Sequence, residues 1–488
     1  MFVTFSRLRS SPHLKLLLTL LLTACGGGNG GGSGNGMAMP PNIAISVAPT
    51  TITLGQSATV TWSAATASGC TQTGGWAGSV GAAGSQSVTP MSSGMITFTL
   101  TCVTPTGNAY AGGGGASAVM STILTVNPAS AFSFTKLIAD LPNSGAVTTD
   151  ANLVNPWGIV FAPGAPVWVA NNHSETSTLY DGNGIPQPAG TPLVVQLPPS
   201  AGGVTFDPTG IVFNGTTDFV VTSGATSAAA KFIYSGEGGM IAGWAPTVSP
   251  TSAITMYTDT GGAVYKGLAL ANNGSANYLY TTDFHNNKID VFDATFTKQT
   301  PSPTSFAFVD ATLPAGYAPF GIQAISNGTG GAVQLYVAYA MQLAPDNHDN
   351  ADGAGLGLID IFDANGNFIK HLVTTGGALN APWGLALAPA DFGTLSNALL
   401  VGNFGDGKIN GYDPNSGVFM GAITDSTGTP FAAAGLWGID FGNDAHSQPH
   451  NTLFFAAGIN DEADGSYGRI DLGPAPTLMH AANATTTH

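Results

Sequence analysis

Charge is what this chain of 488 residues has least of: Asp, Glu, Lys and Arg together make up 8% of it. Solvent-facing helices draw heavily on those residue types, so a helical bundle is excluded. Only 11 residues are Lys or Arg against 27 Asp or Glu, for a formal net charge of −16. No basic patch can be built to displace counterions from phosphates, which excludes nucleic acid as a partner. Cysteine is nearly absent too, with Cys25, Cys70 and Cys102 in neither a Cys-x-x-Cys nor a Cys/His spacing, so a zinc site of that type is excluded. No apolar run is long enough to span a bilayer as a helix. His-Glu-x-x-His, a nucleophile elbow, a P-loop and a dinucleotide fingerprint are all missing. The Ser133-x-x-Lys136 match falls on an expected strand, where that motif needs a helix start. What is abundant is glycine, 67 residues, beside a 43% hydrophobic fraction. Together these describe an all-β, turn-rich protein with ample core material.

The first 25 residues have a basic start (Arg7, Arg9, Lys15) and a short apolar run from Leu16 to Leu22, the pattern of an export signal. Leu22-Thr23-Ala24-Cys25 resembles a bacterial lipobox, which implies lipidation of Cys25 and a membrane partner reached through that anchor. Residues 26–40 are mostly Gly, Asn and Ser, a flexible tether. By the same resemblance, Gly26 after the cysteine in place of Asp implies the outer membrane or cell surface. With Cys25 lipidated, Cys70 and Cys102 form an even pair in an oxidising compartment, and a structural disulfide is expected.

Between Lys15 and Lys136 no charged side chain occurs, and every acid lies at Asp140 or beyond, so a domain boundary is expected near residue 130. Within the neutral stretch, Thr59-Val60-Thr61-Trp62-Ser63 and Thr97-Phe98-Thr99-Leu100-Thr101-Cys102 alternate with period two, as half-buried strands do. Residues 41–127 are therefore read as a small β-sandwich. Trp62 and a cysteine pair able to staple two sheets resemble a bacterial immunoglobulin-like domain. Trp62 precedes Cys70, whereas antibody domains place the Trp between the cysteines.

Beyond residue 132 a glycine heads an apolar strand six times, at Gly158, Gly210, Gly267, Gly321, Gly384 and Gly438. The period of roughly 55 residues, with several strand-like runs in each repeat, is that of a β-propeller. Second strands such as Val167 to Ala170 follow. Third strands then end in an aromatic residue and Asp (Tyr180-Asp181, Phe292-Asp293, Phe362-Asp363, Tyr412-Asp413), and these Asp residues are read as structural. A fourth strand is expected in five repeats. The sixth stops after Arg469-Ile470-Asp471-Leu472, while an orphan strand, Phe134 to Ala139, precedes the first. Supplying the orphan to the sixth repeat pairs two open edges. The expected architecture is thus all-β: an immunoglobulin-like sandwich, then a six-bladed propeller over 132–473 closed by its N-terminal strand, then a disordered tail, 474–488.

Leu153-Val154-Asn155-Pro156-Trp157-Gly158, Trp168-Val169-Ala170-Asn171-Asn172 and the recurring Pro-Trp-Gly resemble a family of exported bacterial NHL-like propellers associated with the PEP-CTERM sorting system. The resemblance covers about 132–473 and implies the fold; the family implies no activity.

In an antiparallel blade the loops before the first strand and between the second and third share one face. Acids, histidines and tryptophans concentrate there, which makes it the candidate ligand face: Trp157, His173, Asp283, His285, Trp383, Asp406, Trp437 and Glu462. His173 beside Glu175 and His285 beside Asp283 are the general-base candidates. Asn155, Asn171, Asp283, Asn403 and Asp461 come from different repeats and would offer oxygen ligands to a metal in the channel. No cofactor is required by the sequence, and Ca²⁺ is the one such a channel would take. The functional expectation is a surface-anchored lipoprotein whose propeller is a binding or scaffold module for a glycan, a protein or a small molecule. Its alternative is a Ca²⁺-dependent hydrolase or lactonase acting at the channel mouth.

Overall fold

The computed structural model describes residues 40–53, 56–76, 78–90, 94–104, 116–127, 131–326 and 332–473. Cys25, the tether up to residue 39 and the tail 474–488 lie outside them. One 3₁₀ turn, Gly393–Leu395, is the only helical element among the described residues. The chain divides into two compact units, with the main boundary at residue 125.

In the smaller unit, Ala58–Ala65 pairs antiparallel with Asn42–Ala48 on one side and Ala83–Val88 on the other. Its burial alternates strictly, with Val60, Trp62 and Ala64 inward, as period-two patterning requires. A second sheet sets Gly94–Val103 between Ser117–Asn127 and Gly69–Gly74. Trp62 meets Trp76 edge to face at 5.2 Å, and Trp76 meets Phe98 at 5.6 Å, so aromatic rings fill the space between the sheets. Cys70 and Cys102 form a disulfide. They are direct partners on neighbouring strands of one sheet, with Cα atoms 4.1 Å apart. The staple thus joins two strands of one sheet, not two sheets as expected, because both cysteines project inward from the same face.

Besides a two-stranded hairpin, Val220–Ser223 with Thr226–Ala229, the larger unit contains six sheets whose first strands begin at Pro156, Pro208, Tyr265, Tyr317, Pro382 and Leu436. Each first strand packs on the next, and the sixth packs on the first. This ring of sheets is a β-propeller. The recurring glycine is what allows it. A Cβ on Gly158 would lie 2.6 Å from the Thr209 carbonyl oxygen, and one on Gly384 would lie 2.5 Å from that of Trp437. Cβ atoms at Gly321 and Gly438 would collide with the carbonyls of Trp383 and Trp157, so neighbouring first strands touch backbone to backbone around the circle. At the same point each first strand slips register against its partner, between Pro156 and Ile159, Pro208 and Ile211, and Tyr265 and Leu268, and correspondingly in the other three. Such bulges re-aim a side chain, here the residue before the glycine.

Phe132–Ala139 pairs antiparallel with Asp464–Leu472, from Phe132 opposite Leu472 to Ala139 opposite Ser466. The N-terminal strand therefore completes the sixth sheet. Arg469 locks the seam: Nε donates to Asp471 Oδ2 at 2.8 Å, and Nη1 donates to the Gly182 carbonyl of the first sheet at 2.7 Å. The third sheet departs from expectation in having only three strands. After Phe292 the chain carries Pro301 and Pro303, which cannot donate to a ladder, and it turns back on itself between Ser302 and Ser305. The aromatic-Asp residues are structural as expected. Asp181 Oδ1 accepts from the backbone N–H of Asn183 and Ile185, both at 2.9 Å, and Asp363 does the same for Asn365 and Asn367.

Candidate functional site: the channel mouth

The bulges deliver six residues to one end of the central channel: Trp157, Thr209, Lys266, Phe320, Trp383 and Trp437. Phe284 and Phe404, which follow the second strands of the third and fifth sheets, join them. Trp157 stacks on Trp437 at 3.3 Å, and Trp383 meets both edge to face at 5.8 Å. Trp157 and Trp437 are 1% exposed. The three tryptophans of the candidate ligand face pack against one another as an aromatic plug, because apolar area of this size gains far more from mutual burial than from solvent contact.

The mouth has two unlike arcs. Sheets three to six, with Trp157 of sheet one, supply the aromatic side, whereas sheets one to three supply Asn155, Asn172, Glu237 and Lys266. The Lys266 side chain is 3% exposed, its ammonium 5.1 Å from the centre of the Trp157 ring. It forms an ion pair with Glu237 and lies 3.8 Å from Asp349. Glu237 also accepts from Asn172 Nδ2 at 3.0 Å. Asn155 Oδ1 accepts from the Trp437 indole at 3.1 Å, while its Nδ2 donates to Glu462 at 2.7 Å and approaches His173 Nε2 at 3.4 Å. Burial holds the Glu462 carboxyl above its ordinary range against the Asn155 hydrogen bond, and the charge of Glu237 adds to the rise. At the rim, the hydrogen bond between His348 and Asp349 (2.9 Å) raises the imidazole and lowers the carboxylate. The Trp157 indole N–H is buried without a hydrogen-bond partner.

Of the expected ligand face, His173 and Glu462 come together here with Asn155, above the tryptophan plug. Asp283 does not: it is fully buried in its own turn, paired with Lys288 at 3.0 Å and accepting from Asn286. His285 donates to the Asp346 carbonyl at 2.9 Å and not to Asp283. Asp406 is held in its turn by Lys408 and Asn403, both at 3.0 Å. Glu175 accepts from the Phe206 and Asp207 amides of the second sheet, so it does not serve His173.

Members of the proposed metal set have partners close to home. Asn171, Asp283 and Asn403 stand at the same repeat position, the last residue of a second strand opposite Pro156, Tyr265 and Pro382. There Asn171 Nδ2 donates to Thr176 and Thr178, and Asn403 Nδ2 donates to Asp406 in the following turn and to the Ala378 carbonyl of the preceding loop, while both amide oxygens are buried without a hydrogen-bond partner. Asp461 is exposed on a turn with left-handed backbone. Only Asn155 reaches the mouth. At the mouth itself the Lys266 ammonium supplies a positive charge.

Glu237 and Lys266 escaped the sequence reading although the repeat marks both. Lys266 is the one charged residue at the position that precedes the ring glycine, and Glu237 is the acid at the position held by Asn172, Phe284 and Phe404 in other repeats.

The fold and the site thus define a β-propeller with a half-charged, half-aromatic channel mouth. No family model matches the chain. It belongs to the family of two uncharacterised proteins of Acanthamoeba polyphaga mimivirus. One is 33% identical over 343 residues, covering 68% of this chain and 78% of the relative. The other is 31% identical over 334 residues, covering 67% and 82%. Among solved structures, virginiamycin B lyase from Staphylococcus aureus is similar at 15% identity and a TM-score of 0.36, covering 70% of this chain and all of that one. That likeness carries no argument about chemistry.

Proposed function

We propose that the larger unit is a six-bladed propeller that binds a small, hydroxyl- or carboxyl-bearing molecule at its channel mouth. The observation that carries this reading is the buried Lys266–Glu237 pair seated over Trp157. Burying a charge pair in a ring that could have been wholly aromatic costs desolvation energy without a compensating gain in stability, which is expected where polar groups are positioned for a ligand. His173, Glu462, His348 and Asp349 are the accessible partners around it. The smaller unit is, on this proposal, an immunoglobulin-like spacer. Leu22 to Cys25 support a lipid-anchored, exported protein, and the Asn155-Pro156-Trp157-Gly158 motif supports extending the family to exported bacterial proteins. The Ca²⁺-dependent hydrolase has less support, since Asp283 pairs with Lys288 and the Asn171 and Asn403 amide nitrogens are bound within their own sheets.

Calorimetric titration of the full chain with monosaccharides, aldonates and short oligosaccharides tests the site. At least one member should bind the wild type, and a Lys266→Met/Glu237→Gln double variant, which removes both charges at once, should lose that binding while keeping its fold. Equal binding by the double variant would place the site elsewhere. For the anchor, Cys25→Ala should move the protein from the membrane to the soluble fraction, because multi-chain lipidation holds where one acyl chain does not; an unchanged membrane pool rejects the anchor.

A further inference from the structure

The fourth sheet holds a second cluster. His371, on Phe368–Val373, has Nδ1 2.6 Å from Asp360 Oδ1 and Nε2 3.3 Å from Asp310 Oδ2. The carboxylate side chains are 0% and 3% exposed, against 29% for the imidazole. Asp310 Oδ1 accepts both the backbone N–H and the hydroxyl of Thr312, at 2.8 and 2.9 Å, and Asp360 Oδ1 faces His371. Among the described residues, Asp360 Oδ2 is buried without a hydrogen-bond partner, and the only partner of Asp310 Oδ2 is His371 Nε2, which Thr312 Oγ1 also meets at 2.5 Å. Buried polar atoms are almost always satisfied, and two buried carboxylates sharing one imidazole, with Asp360 Oδ2 left unpartnered, call for a further cation.

We propose that Asp310, Asp360 and His371 bind a divalent transition-metal ion, Zn²⁺ by the mixed nitrogen and oxygen donor set. One atom from each side chain lies within 4.8 Å of the other two, and ligand atoms around tetrahedral zinc sit roughly 3.3 Å apart, so small rotamer adjustments of the partly exposed His371 close the site. Thr312 is the outer partner that fixes which oxygen Asp310 presents, as carboxylate ligands of metals require. Access exists, because Asp310 and Tyr339 also border an open groove with Lys288 and Leu313. The aromatic plug and Lys266 play no part in this site.

The test is Zn²⁺ titration of chelator-treated full-length protein by calorimetry, with elemental analysis after gel filtration and Co²⁺ absorption as a report on the donor set. Wild type should hold one equivalent. Asp360→Asn, Asp310→Asn and His371→Ala should each weaken binding by about 100-fold, whereas His348→Ala at the channel mouth should leave it unchanged. Metal-free melting curves identify any variant that fails to fold, and the isosteric Asn variants keep the test decisive if His371→Ala does. The proposal is overturned if wild type holds no stoichiometric Zn²⁺ or Mn²⁺, or if the Asn variants bind as wild type does.

Discussion

The two units are held together by opposite means. Over residues 41–127 the smaller carries no charged side chain and one disulfide, Cys70–Cys102, around a three-ring aromatic core. The larger carries nearly all the charge and no cysteine, and its cohesion comes from closure: six glycines let adjacent first strands touch, and a strand from one end of the sequence completes the sheet at the other. A small domain buries too little surface to be secure on packing alone, and a cross-link compensates by restricting its unfolded chain. A ring of several hundred residues has the core it needs, and its weak point is the seam.

The sharpest way to break the comparison is to open that seam. Deleting 132–139 should abolish the cooperative melt of the larger unit and cause self-association through the bared Asp464–Leu472 edge, although no candidate site residue is lost; an unchanged melt and monomeric sedimentation would show that closure is dispensable. Next in size is the plug. Trp437→Ala should cost about 3–5 kcal/mol, read by urea unfolding of the larger unit, because it empties the space stacked on Trp157 and strands Asn155 Oδ1. Replacing Cys70 and Cys102 by Ser should cost about 3 kcal/mol and lower only the transition of the smaller unit; a matching loss in the larger would contradict the division of labour.

The smallest effect concerns pH. Burial, with the nearby Asp207 carboxylate, raises Glu175 to about 7. A carboxyl whose folded pKa lies above its unfolded value contributes stability below the unfolded value, near 4.5, and that contribution is lost as pH rises through about 7. Glu175→Gln should therefore flatten the decline between those limits. At this half-buried position, with solvent screening discounted, the gain at pH 8 is about 0.5 kcal/mol, and an unaltered pH profile of melting would refute it.

Much of the framework was readable in advance, since period-two alternation, the glycine interval and the unpaired strand from Phe134 to Ala139 are local signals that the physics of strands and edges interprets directly. The site was legible only in part. His173 and Glu462 were picked out by residue type and loop position, and both reach the mouth. Asp283, Asp406 and Asn403 had the same credentials and are spent bracing turns, because whether a loop carboxylate or amide faces a channel or its own backbone depends on the φ and ψ of three or four residues.

Composition and repeat alone determined that the chain is all-β, that charge is confined to its larger part and that each blade needs a bare glycine at its inner strand. Tertiary structure alone decided what lies beyond those glycines. Six bulges turn residues spaced about 55 apart toward one axis, where tryptophans bury one another and Lys266 finds Glu237. It also decided that Asp310 and Asp360 share one imidazole. Contacts of that kind come from closing the ring and stacking its strands, and no local rule in the sequence carries that distance.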